Sequence, residues 1–230
     1  MHYDNSERIQ QTVGSGKDAG NGLLARASSF STGILESIQA LAGTTACKGV
    51  QIARLREWAT DEGCWIDNPD ELGIYIDRGS ENEVYMSRRG TDVYKLNDFR
   101  YSDDNLTSFF ERIAAHNLYF GDCAYKLVGF ANNRDGKVCA VPKQQVVTHA
   151  RMASCEEIRH ELELMGFTAE DGGDYYTNGR HDIFDAVPNN VLVDDKGHVF
   201  FIDTIIYRSD GNGYETYKKY SPNSRQKLGK

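Results

Sequence analysis

Two carboxylates and one amide lie close together in the last quarter of the sequence. Asp185 begins the stretch Asp-Ala-Val-Pro-Asn-Asn, Asn190 ends it, and Asp203 follows the apolar residues 199–202. A carboxylate can orient a hydroxyl group and accept its proton, and carboxylate and amide oxygens are ligands that Mg²⁺ prefers. Residues of these types suit phosphoryl transfer, which depends on positioning, on metal ligands and on a carboxylate at the attacking hydroxyl.

The other parts of such a site have candidates upstream. Lys95 lies at the end of a predicted strand, where its ammonium group could bind phosphate oxygens. Glu111 borders the apolar stripe of a predicted helix and could hold that ammonium group in an ion pair. The segment from Gly79 to Val84 could be a reduced glycine-rich loop that covers the phosphates, although a plain hairpin turn explains it equally well.

The apolar pattern predicts an α+β fold in which these residues are brought together. One strong helix is expected over 106–118, with Asp103 or Asp104 as its cap. Strands are expected at 72–77, 83–87, 91–96, 125–131 and 137–141. Five antiparallel strands with one helix inserted after the third are typical of the small lobe of a protein kinase.

The second half of the sequence predicts a smaller, mainly helical lobe. Ser154 and Glu157 form a capping box before an apolar helical stripe, which ends at Gly166. A hairpin over 191–202 follows, and the chain is expected to become polar and frayed after Ile206. The second lobe is therefore predicted to be truncated.

The predicted organisation has five parts. These are a flexible lead-in (1–22), a helical extension (23–65) interrupted at Gly33, a small lobe (66–146), a reduced second lobe (147–210) and a polar tail (211–230). The segment 142–146 is expected to link the lobes and to offer backbone groups to adenine. Because Pro142 has no N–H group, the donor is expected between Gln144 and Val146.

Five segments resemble a known family: EWATDEGCWID, GSENEVYMS, VYKL, SFFERIAAHN and DAVPNNVLVDDKGHVFFID. Over about residues 50–206, the sequence resembles the serine/threonine/tyrosine kinase-like domain found in polyvalent proteins of phages and conjugative elements. The resemblance implies ATP and magnesium as cofactors and a protein-kinase-like fold. It also implies that Lys95, paired with Glu111, holds the α- and β-phosphates.

The same resemblance implies roles for the downstream residues. Asp185 would be the catalytic base, and Asn190 and Asp203 would hold magnesium. The sequence departs from the usual kinase pattern, because Ile183 and Phe184 stand where His-Arg is usual, and Thr204-Ile205 follow Asp203 in place of Phe-Gly. Without that arginine, an activation-loop phosphate would have no receptor, and few residues remain for a peptide-docking platform.

Composition narrows the class of partner and the compartment. Asp and Glu outnumber Lys and Arg by 34 to 26, and the net charge of −8 argues against nucleic acid as the main partner. Five cysteines without a C-x-x-C pair indicate reduced thiols and a cytoplasmic protein. No apolar stretch is long enough for a membrane span, and the polar N-terminus predicts no signal peptide.

Three hypotheses remain from the sequence. The first is an active kinase that transfers the γ-phosphoryl group of ATP to an unknown protein or small-molecule hydroxyl. The second is a catalytically silent kinase-like module that binds nucleotide or protein. The third is a nucleic-acid accessory protein of a mobile element, which the family context suits but the charge does not.

Overall fold

The computed structural model describes residues 22–42, 48–102, 105–170, 174–211 and 213–220. It divides into two compact units. The "sheet unit" is made of the described residues up to Ala114 together with Ala124–Val146, and the "loop unit" of Ala115–Cys123 together with those from Val147 onward. The predicted caps Asp103 and Asp104, most of the predicted lead-in and residues 221–230 lie outside the described residues.

The sheet unit contains a mixed sheet and the helices that pack against it. Its helices are α1 (Gly22–Ala42), α2 (Lys48–Asp61) and most of α3 (Thr107–Tyr119), whose last residues, from Ala115, belong to the loop unit. Its strands are β1 (Trp65–Ile66), β2 (Ile74–Arg78), β3 (Asn82–Met86), β4 (Asp92–Asn97), β5 (Lys126–Asn132) and β6 (Val138–Gln145). They lie in the order β1-β5-β6-β4-β3-β2, and only the β1–β5 pair is parallel.

The sixth strand is a finding that the sequence pattern did not predict. Strands β2 to β6 correspond to the five predicted ones, and β1 adds a short parallel edge beside Phe130 and Ala131. Two residues are too few to show alternation. Gly129 makes the close approach possible, because a Cβ atom there would lie 2.6 Å from the Cys64 carbonyl oxygen.

Helix α1 is continuous, so the predicted interruption at Gly33 was wrong. A glycine inside a helix costs about 1 kcal/mol, which tertiary burial can offset. Leu24 and Ala27 are buried in the same apolar cluster as Leu55 of α2. That cluster includes Phe110 of α3 and Phe130 of the sheet, so packing holds the first half of α1.

The loop unit is built mainly from short strands, so the prediction of a mainly helical second lobe was wrong. Its strands are β7 (Arg151–Met152), β8 (Thr168–Ala169), β9 (Tyr175–Thr177), β10 (His181–Phe184), β11 (Val191–Val193), β12 (Val199–Phe201) and β13 (Ile205–Arg208). Its complete helices are α4 (Cys155–Leu164) and α5 (Gly213–Tyr220). One sheet has the order β13-β10-β9-β8, and the other has the order β12-β11-β7.

Two local predictions for the loop unit are confirmed, and one is wrong. The Glu157 amide donates to Ser154 Oγ at 3.2 Å and the Ser154 amide donates to Glu157 Oε2 at 2.8 Å, which completes the capping box of α4. Strands β11 and β12 form the predicted hairpin. Over the described residues up to 220, the chain stays ordered after Ile206, because β13 pairs with β10 and α5 follows it.

Candidate active site

Asn190 closes the loop that begins at Asp185. Strand β10 ends at Phe184, and Asp185 then adopts a left-handed backbone with φ 61°, which is uncommon for a residue other than glycine. The Asn190 side chain donates from Nδ2 to the Asp185 carbonyl oxygen at 2.9 Å, and its amide donates to the Val187 carbonyl at 2.9 Å. A strained backbone held by such bonds is often found at functional sites.

Asn190 also anchors the segment that carries Asp203. Its carbonyl oxygen accepts the amide of Ile202 at 2.8 Å and that of Asp203 at 3.4 Å. Asn190 therefore joins two other predicted site residues, Asp185 and Asp203. Because the amide nitrogen of Asn190 already binds Asp185, the amide oxygen is the atom suited to a cation.

The electrostatics of the loop favour a cation. Asp185 keeps solvent access as a whole residue, yet partial burial of its carboxyl raises its pKa, with a further rise from the negative charges of Asp203 and Asp174. The Asn190 amide opposes this rise. Carboxylates that repel one another in this way are stabilised by a bound cation.

The donor set fits a magnesium ion that arrives with phosphate. Among the described residues, no group of three Asp, Glu, His or Cys side chains could hold a metal ion. Asp203 and Asn190 would supply one carboxylate and one amide oxygen. Mg²⁺ is commonly bound by one or two such ligands together with waters and substrate phosphates.

A clamp around Phe201, two residues before Asp203, was not found from the sequence. His116 Nε2 lies 2.7 Å from the Phe201 carbonyl oxygen, and Cys123 Sγ donates to the same oxygen at 3.3 Å. The Phe120 ring stacks on the Phe201 ring at 4.2 Å. These residues are far from Phe201 in sequence, so no local pattern could have linked them.

In the sheet unit, strand pairing places three predicted nucleotide-binding residues on one face. Val84 of β3 lies opposite Lys95 of β4, and Val93 lies opposite Gln144 of β6. Residues opposite each other in antiparallel strands share a face, as do residues two apart along one strand. Val84, Lys95 and Gln144 therefore face the same side.

Ile74 is a candidate for the same face that the sequence reasoning missed. It lies opposite Met86, which is itself opposite Val93, and it is 61 % exposed. A large apolar side chain left open on the face that carries Val84 is suited to a flat aromatic ligand. The signal was available in the sequence as an isoleucine within a predicted strand, but only the register assigned its face.

Lys95 contacts an aromatic residue of the sheet unit, and its ion pair with Glu111 stays a prediction. Lys95 Nζ donates to the Tyr125 hydroxyl at 2.9 Å and lies 5.1 Å from the centre of that ring. Glu111 is exposed. Helix α3 buries Phe110 and Ile113 in the core, which turns Glu111 towards solvent.

The segment predicted to cover the phosphates is a hairpin turn, and the segment predicted to link the lobes is largely part of a strand. The Gly79 amide donates to the Asn82 carbonyl at 2.8 Å, which makes the segment a hairpin turn between β2 and β3. Gln144 lies within β6 rather than in a linker, since that strand pairs with β4 as far as Gln145. The Val146 amide donates to the Thr91 carbonyl at 3.0 Å, so this predicted adenine donor already has a partner.

Comparison with known proteins supplies one match. A family model described as serine/threonine/tyrosine kinase found in polyvalent proteins matches residues 48–210. No curated protein matches the chain. Among the described residues, no helix combines the length and apolar character that crossing a membrane requires. Because the match covers more than half of the chain and confirms the resemblance, the chain belongs to the family of serine/threonine/tyrosine kinases found in polyvalent proteins.

Proposed function

We propose that this kinase-family chain is an ATP- and magnesium-dependent phosphotransferase that transfers the γ-phosphoryl group to a hydroxyl. The observation that carries the proposal is the joining of Asp185, Asn190 and Asp203 by the hydrogen bonds of Asn190. A base and two metal-ligand oxygens held together by one asparagine are what positioning-dominated phosphoryl transfer requires. The proposal assigns the chemical step to the loop unit.

The sheet unit is proposed to hold the nucleotide. The support is a sheet in which α3 is inserted after the third of the five antiparallel strands β2 to β6, with β1 as an addition. Lys95 would bind α- and β-phosphate oxygens, with the Tyr125 hydroxyl fixing its ammonium group. Val84 and Ile74 would flank the adenine ring with apolar surface.

In the proposed reaction, Asp185 orients the acceptor hydroxyl and takes its proton. Its raised pKa brings the carboxylate closer to the pH at which a base transfers protons efficiently. Asp203 and Asn190 would hold magnesium, which neutralises charge on the phosphate oxygens when bound. The bend at Asp185, fixed by Asn190, keeps the carboxylate at the end of β10.

The acceptor is proposed to be a protein or small-molecule hydroxyl rather than nucleic acid. The net charge of −8 opposes binding to a polyanion. A reducing, cytoplasmic setting is proposed because four cysteines of the described residues, Cys64, Cys123, Cys139 and Cys155, form no disulfide.

Incubation with γ-labelled ATP and Mg²⁺, with and without a generic protein acceptor, tests this function. Transfer by the wild type and its loss in Asp185→Asn are the expected results. Asp182→Asn is a poor choice of control, because Asp182 is buried and accepts a hydrogen bond from Thr177 at 2.6 Å. Asp195→Asn, in the exposed hairpin turn, is the matched control. Binding of Mg·ATP without any transfer would instead support a silent nucleotide-binding module.

A further inference from the structure

Five aromatic rings pack together beside the candidate catalytic loop. They come from β9, β10, β13 and α5: Tyr175, Phe184, Tyr207, Tyr214 and Tyr217. The Phe184 and Tyr207 rings are nearly parallel, with centres 5.1 Å apart, and the Tyr217 ring centre lies 5.8 Å from that of Phe184. Phe184 immediately precedes Asp185, so α5 packs against the residue next to the proposed base.

The hydroxyl of Tyr217 is bound to a carboxylate near that base. It donates a hydrogen bond to Asp174 Oδ2. The negative charge of Asp174 is one of those acting on Asp185. The Tyr217 hydroxyl therefore binds the Asp174 carboxylate, and the Tyr217 ring contacts Phe184, the residue that precedes Asp185.

The start of α5 fits closely against the same strands. A Cβ atom at Gly213 would lie 2.4 Å from the Tyr175 hydroxyl oxygen and 2.7 Å from Asp182 Oδ2. Both atoms belong to residues that are almost completely buried. Only a glycine allows this approach, so the position of α5, and with it the position of Tyr217, is specified by the packing.

We propose that Tyr217 is a phosphoryl acceptor within its own chain, and this inference rests on the function proposed above. Tyr217 Oη would attack the γ-phosphorus of ATP, forming the Oη–P bond as the bond to the β,γ-bridging oxygen breaks. ADP leaves with the bonding electron pair. The phenol proton passes to the Asp174 carboxylate that already accepts its hydrogen bond.

The product would change the packing of α5. Phosphotyrosine carries about −1.5 to −2 charges at neutral pH. Placed beside Asp174, whose own charge acts on Asp185, these charges repel the Asp174 carboxylate. The phosphorylated α5 is therefore expected to separate from Phe184, which makes the reaction self-limiting at one phosphate per chain.

The test uses the full chain with Mg·ATP, and mass spectrometry locates the phosphate. Tyr217 should carry one phosphate, and the initial rate per chain should not depend on protein concentration. Tyr217→Phe should lose this phosphate while Tyr214→Phe, in the same helix and the same aromatic cluster, should keep it. Asp174→Asn should slow Tyr217 modification by about 10²-fold without an equal loss on a generic acceptor.

The outcomes separate this inference from the proposed function. Transfer to a generic acceptor with an unmodified Tyr217 would overturn the inference alone, and so would a rate that rises with protein concentration. Absence of transfer to any acceptor would overturn the proposed function and this inference together. Melting temperatures of both tyrosine variants confirm that they fold, so a lost phosphate in Tyr217→Phe reports on the hydroxyl.

Discussion

The two parts of the proposed site are assembled by different means. In the loop unit, Asp185, Asn190 and Asp203 lie on a loop and at the end of the hairpin that follows it, and hydrogen bonds of Asn190 join them. In the sheet unit, Val84, Lys95 and Gln144 come from three strands and share a face only through strand register. The residues proposed for catalysis could therefore be predicted together from the sequence. The face proposed to bind nucleotide depended on pairing between distant segments.

Helix α3 shows where that difference matters most. The helix was predicted nearly in full, whereas the ion pair assigned to it stays a prediction. A helix can be located from periodicity alone, but the exposure of Glu111 depends on which face of the helix, with Phe110, is buried in the core. Tyr125, which no pattern suggested, accepts a hydrogen bond from Lys95.

The largest expected effect tests the loop as a chemical unit. Asp185→Asn should lower single-turnover phosphorylation by about 10²–10⁴-fold and leave ATP affinity nearly intact. The amide keeps the shape of the side chain but cannot accept the proton. Rapid-quench measurements beside a nucleotide-binding titration separate the two effects. Near-native turnover in this variant would show that Asp185 is not the base.

The second largest expected effect distinguishes the proposed metal ligands, Asn190 and Asp203, from the proposed base, Asp185. Asn190→Ala and Asp203→Ala should weaken Mg·ATP binding and raise the magnesium concentration needed for half-maximal turnover. Asn190→Ala should also loosen the bend at Asp185, because its side chain holds that carbonyl oxygen. Magnesium titrations of turnover provide the measurement, with Asn189→Ala, an exposed neighbour, as control. Unchanged magnesium dependence in both variants would remove them from the metal site.

The third prediction tests whether Lys95 of the sheet unit takes part in binding Mg·ATP. Mg·ATP should raise the melting temperature of the wild type, since a ligand that binds only the folded state stabilises it. Lys95→Ala should reduce this shift, whereas Glu111→Ala should leave it unchanged because Glu111 points to solvent. Differential scanning fluorimetry at several ATP concentrations measures both shifts. A reduced shift in Glu111→Ala would instead support the predicted ion pair with Lys95.

The smallest expected effect concerns the capping box of α4. Hydrogen bonds from Arg151, and then from the Ser154 amide, lower the pKa of Glu157 to about 2. A lowered pKa means that the stabilisation is complete above the ordinary glutamate pKa and is lost as the pH falls towards 2. Glu157→Gln should therefore flatten the fall in melting temperature under acid, while Glu163→Gln on the same helix should not. Identical acid profiles for the two variants would contradict the role of the pair.

The features determined by the sequence alone are those whose partners lie within a few residues. The capping box at Ser154, the β11–β12 hairpin and the stretch from Asp185 to Asn190 all satisfy their hydrogen bonds locally. Residue type and spacing are then sufficient, because the chain itself brings the groups together. The family match over residues 48–210 includes all three of these segments.

The remaining features were decided by tertiary structure. Two-residue strands such as β7 and β8 are too short to show an alternating apolar pattern. They form because a neighbouring strand supplies their hydrogen bonds. The extension of β6 past Pro142, the clamp on Phe201 and the docking of α5 on Phe184 likewise depend on contacts between distant segments. Such contacts are set by packing and register across the folded chain, and these are properties that no local stretch of sequence contains.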